Sequence, residues 1–147
     1  MPLSLSIVTA DRTVLERDDV QRLVVPTTEG QITILPSHAA LMASLTIGEM
    51  IVYVPDGPIP LAIHGGFIQV VKDEVSVLAD GAERAEEIDE ARAEAARERA
   101  RARLEGRMPV EAGALDLLRA QLALQRALIR LRVHGRRRSP TGAPSMR

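Results

Sequence analysis

Arginine residues, accompanied by a few carboxylates, are the side chains of this 147-residue chain whose types and spacing could do chemistry. Two sets share a helical face at 100° per residue: Arg119, Arg126 and Arg130 within about 40°, and Asp89, Arg92, Arg99 and Arg103 within about 80°. Forked guanidinium groups suit phosphate oxygens, and a carboxylate can accept a hydrogen bond from a ribose hydroxyl or an exocyclic amine. If the two faces meet, they form a cationic cleft with one carboxylate at its mouth.

A plainer alternative is that these residues form the solvated faces of Arg-rich helices. The sequence has no Gly-rich phosphate loop, which argues against nucleotide hydrolysis of the P-loop kind. The chain has no Cys, and His38, His64 and His134 are far apart in sequence, which favours neither a metal site nor a nucleophile paired with a base. We therefore assign no catalytic residue and no metal ligand.

The elements that must position these residues are divided by a change of composition at Gly81. Residues 1–80 carry four basic and ten acidic residues, a net charge of -6, whereas the remainder carries fifteen Arg and ten acids, a net charge of +5. A polyanionic or acidic partner should therefore meet the C-terminal half. No stretch approaches the roughly 20 apolar residues that span a bilayer, so no direct membrane insertion is expected.

The first half has the pattern of an all-β domain. Short apolar runs such as Leu3 to Val8 and Glu74 to Leu78 alternate with turn-prone residues such as Asp18-Asp19. Spacings of about 8 to 12 residues predict an antiparallel β-sandwich. Gly65-Gly66 indicates a tight turn or a close approach of two backbones, because glycine adopts positive φ at little cost.

The second half is predicted to be an antiparallel hairpin of two helices. Glu86 to Leu104 holds good helix formers and precedes Gly106, and Leu115 to Val133 repeats apolar residues at helical spacing. The fold class is thus α+β in two parts, with a sandwich over residues 1–84, a hairpin over 85–135 and a basic tail over 136–147 that lacks the apolar content to order itself.

The seam between the two helices is expected to be thin. The first helix offers mostly Ala, and the second is expected to offer leucines, including Leu118, Leu122 and Leu128. A buried Leu contributes about 1.5 to 3 kcal/mol and an Ala methyl far less. The hairpin should therefore be detachable from the rest of the molecule.

Four motifs, in order and at family spacing, resemble the epsilon subunit of the F-type ATP synthase. They are Glu29-Gly30 with Ile34-Leu35-Pro36-Ser37-His38, then Gly65-Gly66-Phe67 with Val77-Leu78-Ala79-Asp80, then Ile88-Asp89-Glu90-Ala91-Arg92-Ala93, and the helix from Leu122 to Leu131. The resemblance implies a β-sandwich followed by a helical hairpin, and a non-catalytic part of the rotary stalk.

The resemblance also implies a regulatory nucleotide site and no required cofactor. Some members of the family bind ATP in the folded hairpin, through a motif of Ile or Leu, Asp, two variable residues, Arg and Ala. Ile88, Asp89, Arg92 and Ala93 match that motif, and Glu83, Arg99, Arg126 and Arg130 match its supporting positions. Such a site senses ATP and does not hydrolyse it.

The partners implied are the gamma subunit, the membrane rotor ring of c subunits and the alpha/beta catalytic head. The sandwich would join gamma to the ring, with ring contacts at Glu29, Gln31 and His38. The opened hairpin would set Arg119, Arg126, Arg130 and Arg132 against acidic loops of the beta subunits and block rotation in the hydrolysis direction. The subunit would couple head and ring for proton-driven ATP synthesis and lie peripherally on the cytoplasmic side of a bacterial cell membrane.

A rival hypothesis is a polyanion or nucleic-acid-binding module that uses the Arg-rich half. One Phe and one Tyr in the whole chain leave few stacking platforms for single strands. Acidic residues interrupt the basic ones as far as Glu105, an arrangement that a phosphate-binding stripe normally avoids. We therefore expect no nucleic-acid partner.

Overall fold

The computed structural model describes residues 1–106 and 113–136. Eight strands are followed by a 3-10 turn and two helices: β1 Leu3–Val8, β2 Thr13–Val20, β3 Arg22–Thr27, β4 Gly30–Ile34, β5 Leu41–Val54, β6 Gly57–Val71, β7 Glu74–Ala79, β8 Ala82–Arg84, the turn Ala85–Glu87, α1 Glu90–Leu104 and α2 Gly113–Arg136. Apart from Arg136, which ends α2, the predicted basic tail lies outside the described residues. The two-part α+β architecture agrees with the sequence prediction.

The strands form one sheet in the order β2-β1-β7-β6-β5-β3-β4, with β8 paired to β6. All pairings are antiparallel except that β1 runs parallel to β7. The sheet is therefore mixed, in contrast to the fully antiparallel prediction. The predicted turn at Asp18-Asp19 is also wrong, because both residues lie in β2 at the edge of the sheet. Charged side chains are common on edge strands, where they discourage pairing with other chains.

The sheet folds over on itself around one core. Strands from both ends of the sheet contribute to the same apolar cluster, including Leu3 and Ile7 of β1, Leu23 of β3 and Met50 of β5. The edge strand β2 also contacts β5, which lies four positions away in the sheet. This arrangement is the sandwich that the alternation predicted.

Gly66 lies inside β6, where two backbones pass closely. Its φ is 125°, and a Cβ at this position would overlap the carbonyl oxygen of Leu78 and approach the Cα of Ala79 at 2.7 Å. The predicted close approach is confirmed, and the tight turn is not formed because β6 continues through Gly65 and Gly66.

The first helix begins later than predicted. Ala85–Glu87 forms a 3-10 turn, Ile88 is extended, and α1 starts at Glu90 with Asp89 as its N-cap. The Asp89 Oδ1 accepts a hydrogen bond from the Arg92 backbone N–H at 3.1 Å. Aspartate favours this capping position because its carboxylate satisfies a free N–H of the first turn.

Alanine fills the seam between α1 and α2. Ala93 and Ala100 of α1 and Ala120 and Ala127 of α2 are buried, each pair seven residues apart. The predicted leucine contribution is wrong in part, because Leu118, Leu122 and Leu128 are exposed. Small side chains let the helix axes approach and bury little apolar area. None of the helices in the described part is long and apolar enough to cross a membrane.

Candidate ligand pocket at the base of the hairpin

A cavity of about 370 Å³ lies where the end of the sandwich meets the hairpin. Its lining residues come from β8, the 3-10 turn, α1 and α2: Glu83, Glu87, Asp89, Arg92, Ala93, Ala95, Ala96, Arg99 and Arg130. Ligand pockets in proteins typically occupy about 300 to 1,000 Å³. The cavity is therefore large enough to receive a substantial part of a nucleotide.

The local structure of α1 sets the two cations on its wall of the pocket. Asp89 fixes the start of the helix, and Arg92 and Arg99 then follow seven residues apart on the same face. Two turns of helix separate them by about 10 Å along the axis. Ala95 and Ala96 lie between them and also line the cavity, and their small side chains leave room for both guanidinium groups.

Glu83 connects the sandwich to the opposite wall. Its Oε1 accepts a hydrogen bond from the Nε of Arg130 at 2.6 Å and lies 2.9 Å from the Nε2 of His64. Burial by itself would raise the pKa of the Glu83 carboxyl, but the hydrogen bonds from His64 and Arg130 outweigh it and lower the pKa to about 2. Glu83 is thus an anion throughout the physiological range, and it fixes Arg130 at the pocket.

Arg92 and Arg99 differ from Arg130 in having no ion-pair or hydrogen-bond partner for their guanidinium groups within residues 1–106 and 113–136. Both side chains are exposed to solvent. Glu83 and Glu87 already bind Arg130 and Arg12, so their charges are compensated. The uncompensated charge of the pocket is therefore mainly cationic, which suits an anionic ligand.

Arg12 binds the 3-10 turn Ala85–Glu87, which connects the sandwich to the hairpin and is called the hinge below. From the turn between β1 and β2, its guanidinium group donates to both carboxylate oxygens of Glu87, at 2.6 Å and 3.1 Å. The same carboxylate accepts from the backbone N–H of Arg84 at 2.9 Å. The hydrogen bond from Arg12 is the main reason why the pKa of the Glu87 carboxyl lies below its usual value.

The structure brings six of the predicted nucleotide residues together. Glu83, Asp89, Arg92, Ala93, Arg99 and Arg130 all line the cavity. Ile88 is not among the lining residues and lies in an apolar cluster with Ala62, Ala85, Val133 and Ile129. Arg126 and Arg103 are not among the lining residues.

The other predicted contact residues are scattered. Arg119 and Arg132 are exposed on α2, and Arg119 lies 3.8 Å from the carboxylate of Asp116. Glu29 and Gln31 are exposed at the start of β4, whereas His38 is half-buried in the loop after its end. Within the described residues, no group of three or more His, Asp or Glu side chains is placed to hold a metal ion.

Sequence reasoning missed His64, Glu87 and Arg12. His64 follows an apolar run and Arg12 lies in a charged turn, so neither stands out by type or spacing. Glu87 directly precedes the motif that begins at Ile88, and this position was the only indication in the sequence that it could belong to the site. The contacts of Arg12 and Glu87 join residues 75 positions apart, which no local pattern encodes.

A second surface lies on the outer face of the sandwich. Phe67 and Leu78 pair across β6 and β7, and both are 57% exposed. Met42 on β5 and Val71 on β6 extend the apolar area on the same sheet. Contiguous exposed apolar side chains of this kind indicate a protein-binding surface.

The fold places the chain in a class of two-part proteins, in which a β-sandwich domain is followed by an α-helical domain. The family model described as ATP synthase, Delta/Epsilon chain, beta-sandwich domain matches residues 2–85, and that described as the long alpha-helix domain matches residues 86–135. The chain belongs to the ATP synthase delta/epsilon chain family. The resemblance carried by the sequence motifs is therefore confirmed.

Individual relatives agree over nearly the whole chain. An ATP synthase epsilon chain of Herpetosiphon aurantiacus is 46% identical over 140 residues, covering 95% of this chain and 98% of the relative. One of Chloroflexus aggregans is 44% identical over 133 residues, covering 90% and 92%. A chain in the solved Euglena gracilis mitochondrial ATP synthase (OSCP/F1/c-ring) has a TM-score of 0.72 at 25% identity, covering 84% of this chain and 76% of that one.

Proposed function

We propose that the chain is the epsilon-type subunit of a rotary ATP synthase and forms a non-catalytic part of its central stalk. Family membership makes it a subunit of ATP synthase. The finer assignment is supported by full-length relatives that are named ATP synthase epsilon chain. In this role the chain transmits torque between the catalytic head and the membrane ring during proton-driven synthesis.

The pocket at the base of the hairpin binds ATP as a regulatory ligand. The observation that carries this proposal is that Arg92 and Arg99 line one cavity and have no partner among the described residues, beside an Arg130 that Glu83 fixes. Charge-assisted hydrogen bonds from guanidinium groups are strong and suit the polyphosphate. Asp89 lies at the pocket and can accept a hydrogen bond from the ribose or the adenine amine.

ATP binding stabilises the folded hairpin by linkage. A ligand that binds only the folded form stabilises it by RT ln(1 + [L]/Kd), about 2.7 kcal/mol at a hundredfold excess over Kd. When ATP is scarce the hairpin opens, and Arg130 and Arg136 leave Glu83 and Glu49, their partners in the folded form. The cations of α2, with Arg119, Arg126 and Arg132, then bind acidic loops of the catalytic beta subunits and inhibit hydrolysis.

The sandwich provides the fixed attachment of the subunit. Its exposed apolar face around Phe67 and Leu78 binds the gamma subunit. Glu29 and Gln31 around the start of β4, and His38 in the loop after its end, face the ring of c subunits. The chain is held in this way as a peripheral component on the cytoplasmic side of the membrane.

Titration of the purified chain with ATP by isothermal calorimetry, with and without Mg²⁺, tests the nucleotide site. We expect saturable binding of ATP that is weaker for ADP. In Arg99→Gln it should weaken by roughly tenfold or more, because a charged hydrogen bond contributes about 1.5 to 3 kcal/mol. Arg103→Gln is the matched control, since Arg103 lies on the same face of α1 but outside the cavity.

Arg126→Gln tests whether Arg126 belongs to the nucleotide site, because the cavity and the family motif give different answers for this residue. The structure predicts little change, since Arg126 does not line the cavity, whereas the motif predicts a loss similar to that of Arg99→Gln. Absence of binding at millimolar ATP would overturn the nucleotide site and leave the stalk assignment intact.

A further inference from the structure

His64 is a histidine buried between the sandwich and the hairpin. It lies on β6 and its side chain is only 7% exposed. Its Nε2 lies 2.9 Å from the Glu83 Oε1, the same oxygen that binds Arg130. The described residues offer no hydrogen-bond partner to its buried Nδ1. The side chain thus touches the carboxylate that fixes Arg130 without lining the pocket itself.

Charged groups near His64 lie on several elements, and Arg12, from the turn between β1 and β2, is attracted to the same Glu83 carboxylate. Glu83 of β8 and Arg130 of α2 share its network, and Glu49 of β5 with Arg136 of α2 forms a second pair on the same side of the sandwich. Asp80 lies beside the neighbouring Gly65. A Cβ at Gly81 would lie 3.1 Å from the imidazole ring of His64. The backbone at Gly81 therefore leaves the ring little room to move.

Protonation of His64 opposes the docked position of α2. A charged imidazole would place two cations, His64 and Arg130, on a single carboxylate oxygen. It would also bury an Nδ1–H that has no acceptor in the described part of the chain, which carries a desolvation cost. The first cost is relieved when α2 leaves, because His64 and Glu83 belong to the sandwich whereas Arg130 departs with the helix.

We infer that His64 is a positioning residue of the pocket, which holds Glu83 in place for Arg130 while neutral and weakens the docking of α2 when protonated. The inference deepens the proposed function, since it assigns a proton-sensitive regulation to the same site. The contacts of His64 involve only groups of the chain itself, so docking can be measured both with and without ATP. Acidification should therefore favour the open hairpin.

The experiment uses spin labels on the full-length chain, which has no native Cys. Cysteines replace the exposed Ser44 of the sandwich and Gln125 of α2, and electron paramagnetic resonance gives the docked fraction from pH 8 to pH 5. We expect this fraction to fall severalfold across the range. In His64→Gln, whose amide can donate to Glu83 but cannot become charged, the fraction should stay constant over the same range.

Two further variants keep the test decisive. Arg130→Gln removes the second cation, so its docking should be weaker but nearly independent of pH. His134→Gln removes the histidine that lies within the hairpin, 4.0 Å from Glu90, and should keep the parent profile. A flat parent profile, or an unchanged pH dependence in either His64→Gln or Arg130→Gln, would overturn the inference. A chain that shows the profile but binds no ATP would refute the nucleotide site alone.

Discussion

Asp89 has two possible roles, and they are separable at the scale of a single residue. It caps α1 by accepting from the Arg92 N–H, and it lines the pocket. A cap is sufficient to explain an aspartate at this position. The family motif assigns it to ligand binding, so the two roles predict different results for variants that keep or remove the cap.

Asp89→Asn should retain the cap, because asparagine is as good an N-cap as aspartate. We expect unchanged thermal stability but roughly fivefold weaker ATP binding, since a charged acceptor exceeds a neutral one by about 1 kcal/mol. Asp89→Ala should in addition lose about 1 kcal/mol of stability. Thermal unfolding and calorimetry measure the two effects, and ATP affinity that is equal or higher in Asp89→Asn would assign Asp89 to capping only.

At the scale of elements, the hairpin is joined by small side chains. The buried residues of the seam are alanines, while four leucines of α2 face solvent: Leu117, Leu118, Leu122 and Leu128. The contact of α2 with the sandwich adds a small apolar cluster around Ile88 and Val133. Opening the hairpin therefore exposes little new apolar area, and the helices can separate at modest cost.

Ala100→Leu tests the closeness of this seam. Ala100 is 1% exposed, so the added carbons must push α1 and α2 apart, at a cost of about 1 to 3 kcal/mol. We expect faster hydrogen exchange in both helices and little change in the sandwich. Ala91→Leu is the control, because Ala91 is exposed on the same helix. Equal exchange rates in the two variants would contradict the alanine seam.

At the scale of the whole molecule, ion pairs join the hairpin and hinge to the sandwich. Arg130 binds Glu83, Arg136 binds Glu49, and Arg12 binds Glu87 from the turn between β1 and β2. The acidic partners of α2, Glu83 and Glu49, belong to the sandwich, and the basic ones, Arg130 and Arg136, to the helix. Docking should therefore weaken with salt as well as with acid.

Acid should release the hairpin in a second step, through Glu83. Its folded-state pKa of about 2 lies below the ordinary value of 4.5, so its stabilisation is complete above pH 4.5 and is lost as the pH falls towards 2. The loss should be on the order of 2 kcal/mol, less than the full shift of the pKa, because His64 keeps its contact with Glu83 when α2 leaves and solvent screens part of the interaction. The spin-labelled His64→Gln chain should show only this step, and Glu83→Gln should lack it. Docking of Glu83→Gln that equals the parent at pH 7 would contradict this account.

Local pattern predicted the elements but not all their boundaries. Alternating apolar residues and glycine turns predicted the sandwich, and helix formers predicted the hairpin. The helix propensity of Glu86 and Glu87 predicts a helix that starts at Glu86, whereas the structure has a 3-10 turn there, in which Glu87 accepts a hydrogen bond from Arg12. Tertiary contacts override weak propensities in such short segments.

The sequence by itself determined the division at Gly81, the two kinds of secondary structure, the family and most members of the Arg-rich pocket. These follow from composition, periodicity and motifs, which are local properties. Only the tertiary structure decided that Arg130 lies in the pocket and Arg126 does not, that alanines rather than leucines form the seam, and that His64 meets Glu83. Glu83 and Arg130 are 47 positions apart, so their contact depends on how α2 packs on the sheet, which no local pattern specifies.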